Sequence, residues 1–276
     1  MHTEMWEHPA VQDNLSVLAE RGVHIVWPES GRLAGGDVGT GRLADPGTIV
    51  AAVEHALGPA DLVGTKVVVT AGGTREAIDP VRFIGNRSSG KQGFALAAEA
   101  RARGAKVVLV ATTPPPAHLG VETVLVESAA QMHDAVMAHA GSADVVVMAA
   151  AVADFRPVAT ADSKLKKAAG PPEIVLEPTV DILAELGRRK AAGQVLVGFA
   201  AETDQVAENA RDKLARKNAD LIVANDVSAP GVGFEHDTNA VVIHASDMEQ
   251  TVPLTDKRSV ARAVFDAVAA RRAGRS

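Results

Sequence analysis

From residue 66 onward, short uninterrupted apolar runs alternate with longer stretches in which apolar residues recur every three or four positions. The runs read as strands covered on both faces, and the longer stretches read as amphipathic helices. Strands are expected at residues 67–69, 106–111, 121–126, 144–150, 174–176, 195–200, 221–224, 240–244 and 251–254, and helices at 94–103, 130–139, 180–189, 204–217 and 257–272. Upstream, residues 23–27 (VHIVW) read as a strand and residues 45–57 as a helix, with Asp45 as N-cap and Pro46 in the first turn. Alternation of this kind is βαβ grammar, so the expected fold is α/β, a Rossmann-like doubly wound and mostly parallel sheet. The last two strands have no helix between them and should form a small antiparallel hairpin or meander.

The first strand of this series ends abruptly at Gly72-Gly73, and a second turn, Gly85-Asn86-Arg87-Ser88-Ser89-Gly90, opens the next helix. Unpaired N–H groups and the positive helix end there suit an anion such as phosphate, although tight strand-to-helix packing also asks for glycine. The second turn nearly spells a P-loop, but Gln92 stands where a magnesium-holding hydroxyl should be, and residues 79–84 make a poor buried strand. A dinucleotide fingerprint fits no better, since no helix directly follows Gly72-Gly73 and no acid ends the strand at 106–111.

Composition narrows the classes. The chain has 276 residues, 47% hydrophobic, enough for a sizeable core. It has no cysteine, which excludes disulfides, zinc-thiolate sites and cysteine nucleophiles and fits a reducing compartment. Having no tyrosine, it cannot be a tyrosine-dependent short-chain dehydrogenase. With 3% aromatic residues and a net charge of -6, it lacks the stacking and basic surface of a nucleic-acid binder. The longest apolar run, residues 145–153, is too short to span a membrane, and the start is no signal peptide, so a cytoplasmic location is expected. The nine histidines show no metal-ligand spacing.

Several polar residues follow strand ends, where open α/β sheets bind ligands. Asp154 is one; Asp181 is another, though it also stands at a helix start, where capping competes with ligand binding. Asn225-Asp226 should share a rim with Asp154. Lys213 and Lys217 lie four apart on one helix and point the same way. Residues 114–120 and 156–172 look mobile, and the second carries Lys164, Lys166 and Lys167, as a solvated loop or as a lid over an anion.

The segments TAGGTREAIDPVRFIGNRSSGKQG, AAAVADFRP, SKLKK, EPTVDIL, VGFAAET, RKNADLIVAND and GFEHDTNAV occur in this order between residues 70 and 241. Together they resemble the bacterial phosphopantothenoylcysteine synthetase domain of the bifunctional coenzyme A biosynthesis protein. The resemblance covers residues 63–276 as the ligase domain. Residues 1–62 resemble the end of the fused flavin-dependent decarboxylase domain with its linker, retaining only the tail of a P-x-M-N-x-x-M-W clamp with His2 in place of asparagine. The chain is thus expected to be a segment of a longer multifunctional enzyme that does not decarboxylate, FMN belonging only to the missing decarboxylase domain.

The resemblance implies a ligase that joins 4'-phosphopantothenate to L-cysteine at the expense of CTP and Mg²⁺, through an acyl-cytidylate, releasing CMP and pyrophosphate. By the same resemblance Asn86 and Lys164 are the catalytic residues. Asn86 would hold the acyl-cytidylate carbonyl, and Lys164 would neutralise the triphosphate. CTP falls to Ser88, Ser89, Gly90, Ala149, Ala150, Asp154, Val180, Asp181, Ile182, Leu183, Phe199, Lys213 and Lys217. Phosphopantothenate falls to Gly72, Gly73, Thr74, Arg82 and Asn86, and the metal to Asp154. A homodimer with its site near the interface is implied, and a higher oligomer in the full-length fusion. Ile78, Val81, Phe83 and Ile84 are apolar with no evident helix to cover them, which also suggests a dimer contact. Two other readings stay open: an NAD(P) oxidoreductase resting on the glycine turns alone, and a nucleotide-binding module that releases no pyrophosphate.

Overall fold

The computed structural model describes residues 1–166, 173–202, 206–226 and 236–274. It divides into two compact units, Met1–Ala60 with Pro116–Gly120, and Asp61–Pro115 with Val121–Ser276. The first contains helices α1 (Thr3–Trp6) and α2 (Pro9–Glu20), an antiparallel pair of strands β1 (Glu29–Arg32) and β2 (Val38–Arg42), and helix α3 (Pro46–Leu57). Asp45 caps α3 as the sequence suggests, its carboxylate accepting the Gly47 N–H at 2.8 Å. Residues 23–27 do not form the expected strand. Their extended run ends at Pro28, which has no N–H to give a ladder, and Trp27 instead packs edge-on against Trp6 with ring centroids 5.8 Å apart.

In the second unit, strand β3 (Lys66–Ala71) leads to a short antiparallel pair, β4 (Arg75–Ala77) and β5 (Phe83–Gly85). Helix α4 (Lys91–Ala102), β6 (Lys106–Ala111), β7 (Glu122–Leu125), α5 (Ala129–Ala140) and β8 (Val145–Met148) follow. Next come a second short antiparallel pair, β9 (Phe155–Pro157) and β10 (Leu176–Pro178), then α6 (Ile182–Arg189), β11 (Val195–Glu202), α7 (Val206–Arg216) and β12 (Leu221–Asp226). The hairpin of β13 (Thr238–His244) and β14 (Glu249–Asp256) precedes α8 (Lys257–Ala273). The eight-stranded sheet has the order β14-β13-β12-β11-β8-β3-β6-β7. Its strands from β12 to β7 run parallel, and β13 and β14 are the antiparallel edge. This is the expected mostly parallel, doubly wound sheet with its hairpin.

Parallel strands covered on both sides must be apolar at every position, and Val67, Val68 and Val69 are all completely buried. Val68, Val108, Val146, Leu196 and Ile222 pack with Met132 and Val136 of α5 and Leu186 of α6. The alternate positions of the strands face the other way, where α4 and α8 pack on each other and on the sheet and bury Leu96, Val264 and Phe265. Each such side chain contributes about 1.5–3 kcal/mol of hydrophobic stabilisation. Arg103 is buried between these two helices and bonds Glu99 at 2.8 Å, Asp61 at 3.1 Å and Asp266 at 2.5 Å.

The short antiparallel pairs depart from the expectations, and β4 and β5 were not among the expected strands. The segment at 156–172 opens as strand β9 rather than as a mobile loop, because it pairs with β10, which lies two residues later than the strand expected at 174–176. Lys167 and the rest of that segment to residue 172 lie outside the described residues, as do Asp204, the expected start of α7, and Gly233, Phe234 and Glu235 of the last motif.

Candidate functional site

The chain leaves β3 toward β6 and β7 on one side and reaches β8 and β11 on the other, so the direction of winding reverses between β3 and β8. A crevice must open there above the carboxyl ends of the strands. It is a cleft of about 660 Å³. Its wall is built from residues 86 and 88–93 ahead of and within α4, 148–154 after β8, 178–183 before and within α6, and the strand-end residues Phe199, Ala201 and Asn225. Lys213 and Arg216 from α7, Lys217 just past its end, Asn239 from β13 and Lys257 from α8 complete it.

The floor is a seam between the chain leaving β3 and the chain leaving β8. Ala151 N–H donates to Gly72 O at 2.8 Å, Thr74 N–H to Ala151 O at 3.2 Å, and Ala153 N–H to Thr74 Oγ1 at 2.9 Å. Ala150 N–H is also taken, by Thr70 Oγ1 at 3.0 Å. Above the seam, Asn86 Nδ2 donates to Val152 O at 3.0 Å, fixing its amide in the wall. Gly73 makes this possible, since a Cβ there would stand 2.5 Å from the Asn86 carbonyl oxygen. Gly90 holds a left-handed conformation (φ 77°) at the N-cap of α4, and no side chain caps that end, so the first-turn N–H groups face the cleft.

The opposite wall is electrostatic. Asp181 caps α6 by accepting Ala184 N–H at 2.9 Å, and its other oxygen bonds the Lys217 ammonium. Burial alone would raise the Asp181 pKa, but Lys217 and the Ala184 N–H outweigh it and hold the carboxyl below its ordinary range. This one carboxylate both caps α6 and lines the cleft. Asp154 is exposed in the wall, with its backbone oxygen bonded to Thr179 N–H at 2.9 Å.

Of the residues singled out from the sequence, the cleft collects Asn86, Ser88, Ser89, Gly90, Ala149, Ala150, Asp154, Val180, Asp181, Ile182, Leu183, Phe199, Lys213 and Lys217. Gly72, Gly73, Thr74, Arg82 and Lys164 are not in its wall. The first three are buried in the seam that forms the floor. Arg82 is bound to the buried Asp79, Nε to Oδ2 at 3.0 Å, and also donates to Leu165 O at 3.1 Å. Asp79 accepts Leu165 N–H at 3.1 Å too, and Thr160 and Ala161 bond Ala77 O and Ile78 O, so the stretch carrying Lys164 is docked on the turn between β4 and β5. Arg82, first among several donors, holds the Asp79 carboxyl far below the usual range.

Lys91, Arg216, Asn239 and Lys257 line the cleft without having been singled out as site residues. Asn225 is there as well, as its place at a strand end suggests. Lys91 stood in the near P-loop and Asn239 in GFEHDTNAV as bare motif letters, and Lys257 carries no local signal, since only the packing of α8 brings it to the strand ends.

Among the described residues no three His, Asp, Glu or Cys side chains are grouped to hold a metal by themselves. Asp154 and Asp181 are the two described carboxylates of the wall, and Asp181 is already engaged with Lys217. A single carboxylate beside a phosphate cradle fits a magnesium ion bound mostly through nucleotide oxygens and water. No described helix is long and apolar enough to cross a membrane.

Residues 62–271 match the family described as DNA/pantothenate metabolism flavoprotein C-terminal domain, and residues 1–58 match the family described as Flavoprotein. The chain is 49% identical over 286 residues to the coenzyme A biosynthesis bifunctional protein CoaBC of Mycobacterium tuberculosis, covering 97% of this chain and 68% of that protein. The protein of the same name from Bacillus subtilis is 47% identical over 277 residues, covering 98% of this chain and 68% of the relative. The crystal structure of the C-terminal domain of a coenzyme A biosynthesis bifunctional protein CoaBC superposes with a TM-score of 0.64 at 43% identity, over 76% of this chain and 97% of that one. A Cab2 mutant in complex with phosphopantothenate-cysteine shares the fold, with a TM-score of 0.63 at 17% identity over 83% of this chain and 92% of that one.

Proposed function

Because the chain belongs to the family of DNA/pantothenate metabolism flavoprotein C-terminal domains, we propose that it ligates 4'-phosphopantothenate to L-cysteine with CTP. The observation that carries this reading is a single cleft holding a fixed amide (Asn86), an uncapped helix end (Gly90), a carboxylate (Asp154) and two lysines (Lys213 and Lys217). A carboxylate does not acylate an amine at neutral pH. Its oxygen therefore attacks the α-phosphorus of CTP, the bond to the β-phosphate oxygen breaks, and pyrophosphate leaves. The amine of cysteine then adds to the acyl carbon of the resulting acyl-cytidylate, loses a proton, and expels CMP.

Each step asks for something this wall offers. The first-turn N–H groups after Gly90, with Ser88 and Ser89, would take phosphate oxygens, and Lys213 and Lys217 would add positive charge. Asp154 would hold magnesium, which neutralises charge building on the phosphates. The Asn86 amide would donate to the acyl oxygen as it becomes an oxyanion, exchanging its bond to Val152 O for a stronger, charge-assisted one. Lys164 would act on the triphosphate from its stretch docked beside Asp79, and phosphopantothenate would lie over the floor formed by Gly72, Gly73 and Thr74, on the side of Arg82. The ligase unit is proposed to run from residue 63 to 276, with residues 1–62 belonging to a flavoprotein part where any FMN would bind, and the enzyme is placed in the cytoplasm.

We further propose a homodimer built on the two short hairpins beside the cleft. Val81 is 60%, Phe83 53%, Phe155 52% and Val175 62% exposed in or beside these pairs, and β4 lies against β9.

The test separates the half-reactions. Asn86→Asp should still release pyrophosphate from CTP and phosphopantothenate but lose about 10²–10³-fold in amide formation, since it removes an oxyanion donor. Lys164→Gln should lose pyrophosphate release itself. Equal loss of both steps in both folded variants would sink these assignments.

A further inference from the structure

Asp154 enters the cleft from residues 149–154, which follow β8 but belong to no strand of the large sheet, so something other than a ladder must fix where its carboxylate points. Ala153, just before it, is held on both sides. Its N–H donates to Oγ1 of the fully buried Thr74 at 2.9 Å, and its carbonyl accepts the Thr179 hydroxyl at 2.5 Å. Thr179 N–H donates in turn to Asp154 O at 2.9 Å. That second bond extends the β9–β10 ladder by one step, since Pro178 faces Phe155 and the next pair along is Thr179 and Asp154. The two carbonyls flanking the Asp154 Cα are therefore both bonded by Thr179, one through its main chain and one through its side chain. Extending the ladder needs only the N–H. The hydroxyl makes an additional bond, and it goes to the peptide that carries Asp154. Two residues further on, Asp181 caps α6 and bonds Lys217. With only Val180 between these attachments, Thr179 also sets the spacing of the two carboxylates in the wall.

We propose that Thr179 is a positioning residue, whose hydroxyl aims the Asp154 carboxylate at the magnesium of the bound nucleotide. Magnesium tolerates little departure from octahedral geometry, so a carboxylate that holds it must itself be oriented. What Asp154 holds rests on the ligase reading above. What holds Asp154 does not.

Water-proton relaxation by Mn²⁺·CTP, with manganese standing in for magnesium, reads metal–nucleotide binding to the whole chain. It is measured in the wild type, Thr179→Val, Thr179→Ser, Asp154→Asn and the double variant of Asp154→Asn with Thr179→Val, beside pyrophosphate release. Valine keeps the branched shape and removes the donor, so binding should weaken by about 10–100-fold, as when a partner that orients a metal ligand is lost. Serine should restore it. Nucleotide oxygens supply most of the metal's ligands, so Asp154→Asn should keep measurable binding, and there the valine should cost nothing further. A Thr179→Val protein that melts lower yet binds Mn²⁺·CTP as the wild type does would have lost only a structural bond, and the proposal falls. It falls equally if the valine costs as much in Asp154→Asn as in the wild type. Should the valine variant not fold, Thr179→Ala takes its place with the same two outcomes. A wild type whose Mn²⁺·CTP binding depends on Thr179 but which releases no pyrophosphate with phosphopantothenate would refute the ligase reading and leave the positioning role. A working ligase whose metal dependence ignores Thr179→Val would do the reverse.

Discussion

Gly187 on α6 is where two walls of the cleft are locked together. A Cβ there would fall inside the contact radius of the Lys217 carbonyl oxygen, with the carbonyl carbon at 2.9 Å and Asn218 Cβ at 3.2 Å. Neither neighbour is a flexible chain end, so Gly187→Ala must push α6 away from the end of α7. The separation also strains the bond from Asn218 Nδ2 to Gly187 O, now 2.8 Å, and through Asn218 the Lys190 contact at 2.8 Å. Overpacking costs about 1–3 kcal/mol, and the lost amide bond costs about 1 kcal/mol. Alanine returns about 1 kcal/mol in helix propensity. The net loss of about 2 kcal/mol corresponds to a Tm lower by about 4–8 °C for a unit of this size. The same wedge carries Lys217 away from Asp181, so CTP affinity should fall as well. Gly141→Ala is the control, having ordinary helical angles and no heavy atom within 4 Å of an added Cβ. Scanning calorimetry and CTP titration on both variants decide it. A Gly187→Ala protein that melts at or above the wild type and binds CTP normally would refute the argument that contact with residue 217 is what requires glycine here.

Two further outcomes follow from the surface. Phe83→Asp should convert a dimeric mass to a monomeric one in light scattering, and a wild type that is monomeric at micromolar concentration would count against the dimer. His133 on α5 bonds Asp134 at 2.9 Å and Glu185 of α6 at 3.0 Å, and Asp134, ahead of the opposing burial and of Glu185, raises its pKa. A raised folded-state pKa gives stability that is fully present below the ordinary histidine value of about 6.5 and is lost as the pH rises through the raised value. The stability gap between wild type and His133→Gln, measured by urea unfolding, should therefore be wider at about pH 6, below the ordinary histidine value, than at about pH 9, well above it; a gap independent of pH would show that the link between α5 and α6 is not ionic.

The order of elements in the second unit was open to reading because local physics sets it. Val67, Val68 and Val69 are apolar at consecutive positions, which only a strand covered on both faces tolerates, and the absence of a helix between the last two strands left a hairpin as the short connection. Local capping chemistry likewise set the start of α3 at Asp45. Residues 23–27 show the limit: their apolar run satisfies strand periodicity, but a strand also needs a partner, and partners are chosen at a distance. Strand β9 was missed for the same reason, since it has too few apolar residues to announce itself alone, while its partner β10 was expected two residues early.

The site divides in the same way. Gly90, Ser88 and Asn86 sit in one turn, and Asp154 follows one strand, so sequence neighbours and strand-end logic point to them as ligand-facing. Which of them share a cavity was settled by the winding of the sheet, which reverses between β3 and β8 and opens the crevice there. Tertiary structure also assigned partners: Asp181 to Lys217, Arg82 to Asp79 rather than to the cleft, and Leu165 beside Lys164 to the β4–β5 turn. Lys257 is the plainest case. In the sequence it is an ordinary first-turn lysine of a terminal helix, and only the packing of α8 on α4 puts it beside Lys91 in the cleft, because charge proximity depends on distance in space and the sequence records only distance along the chain.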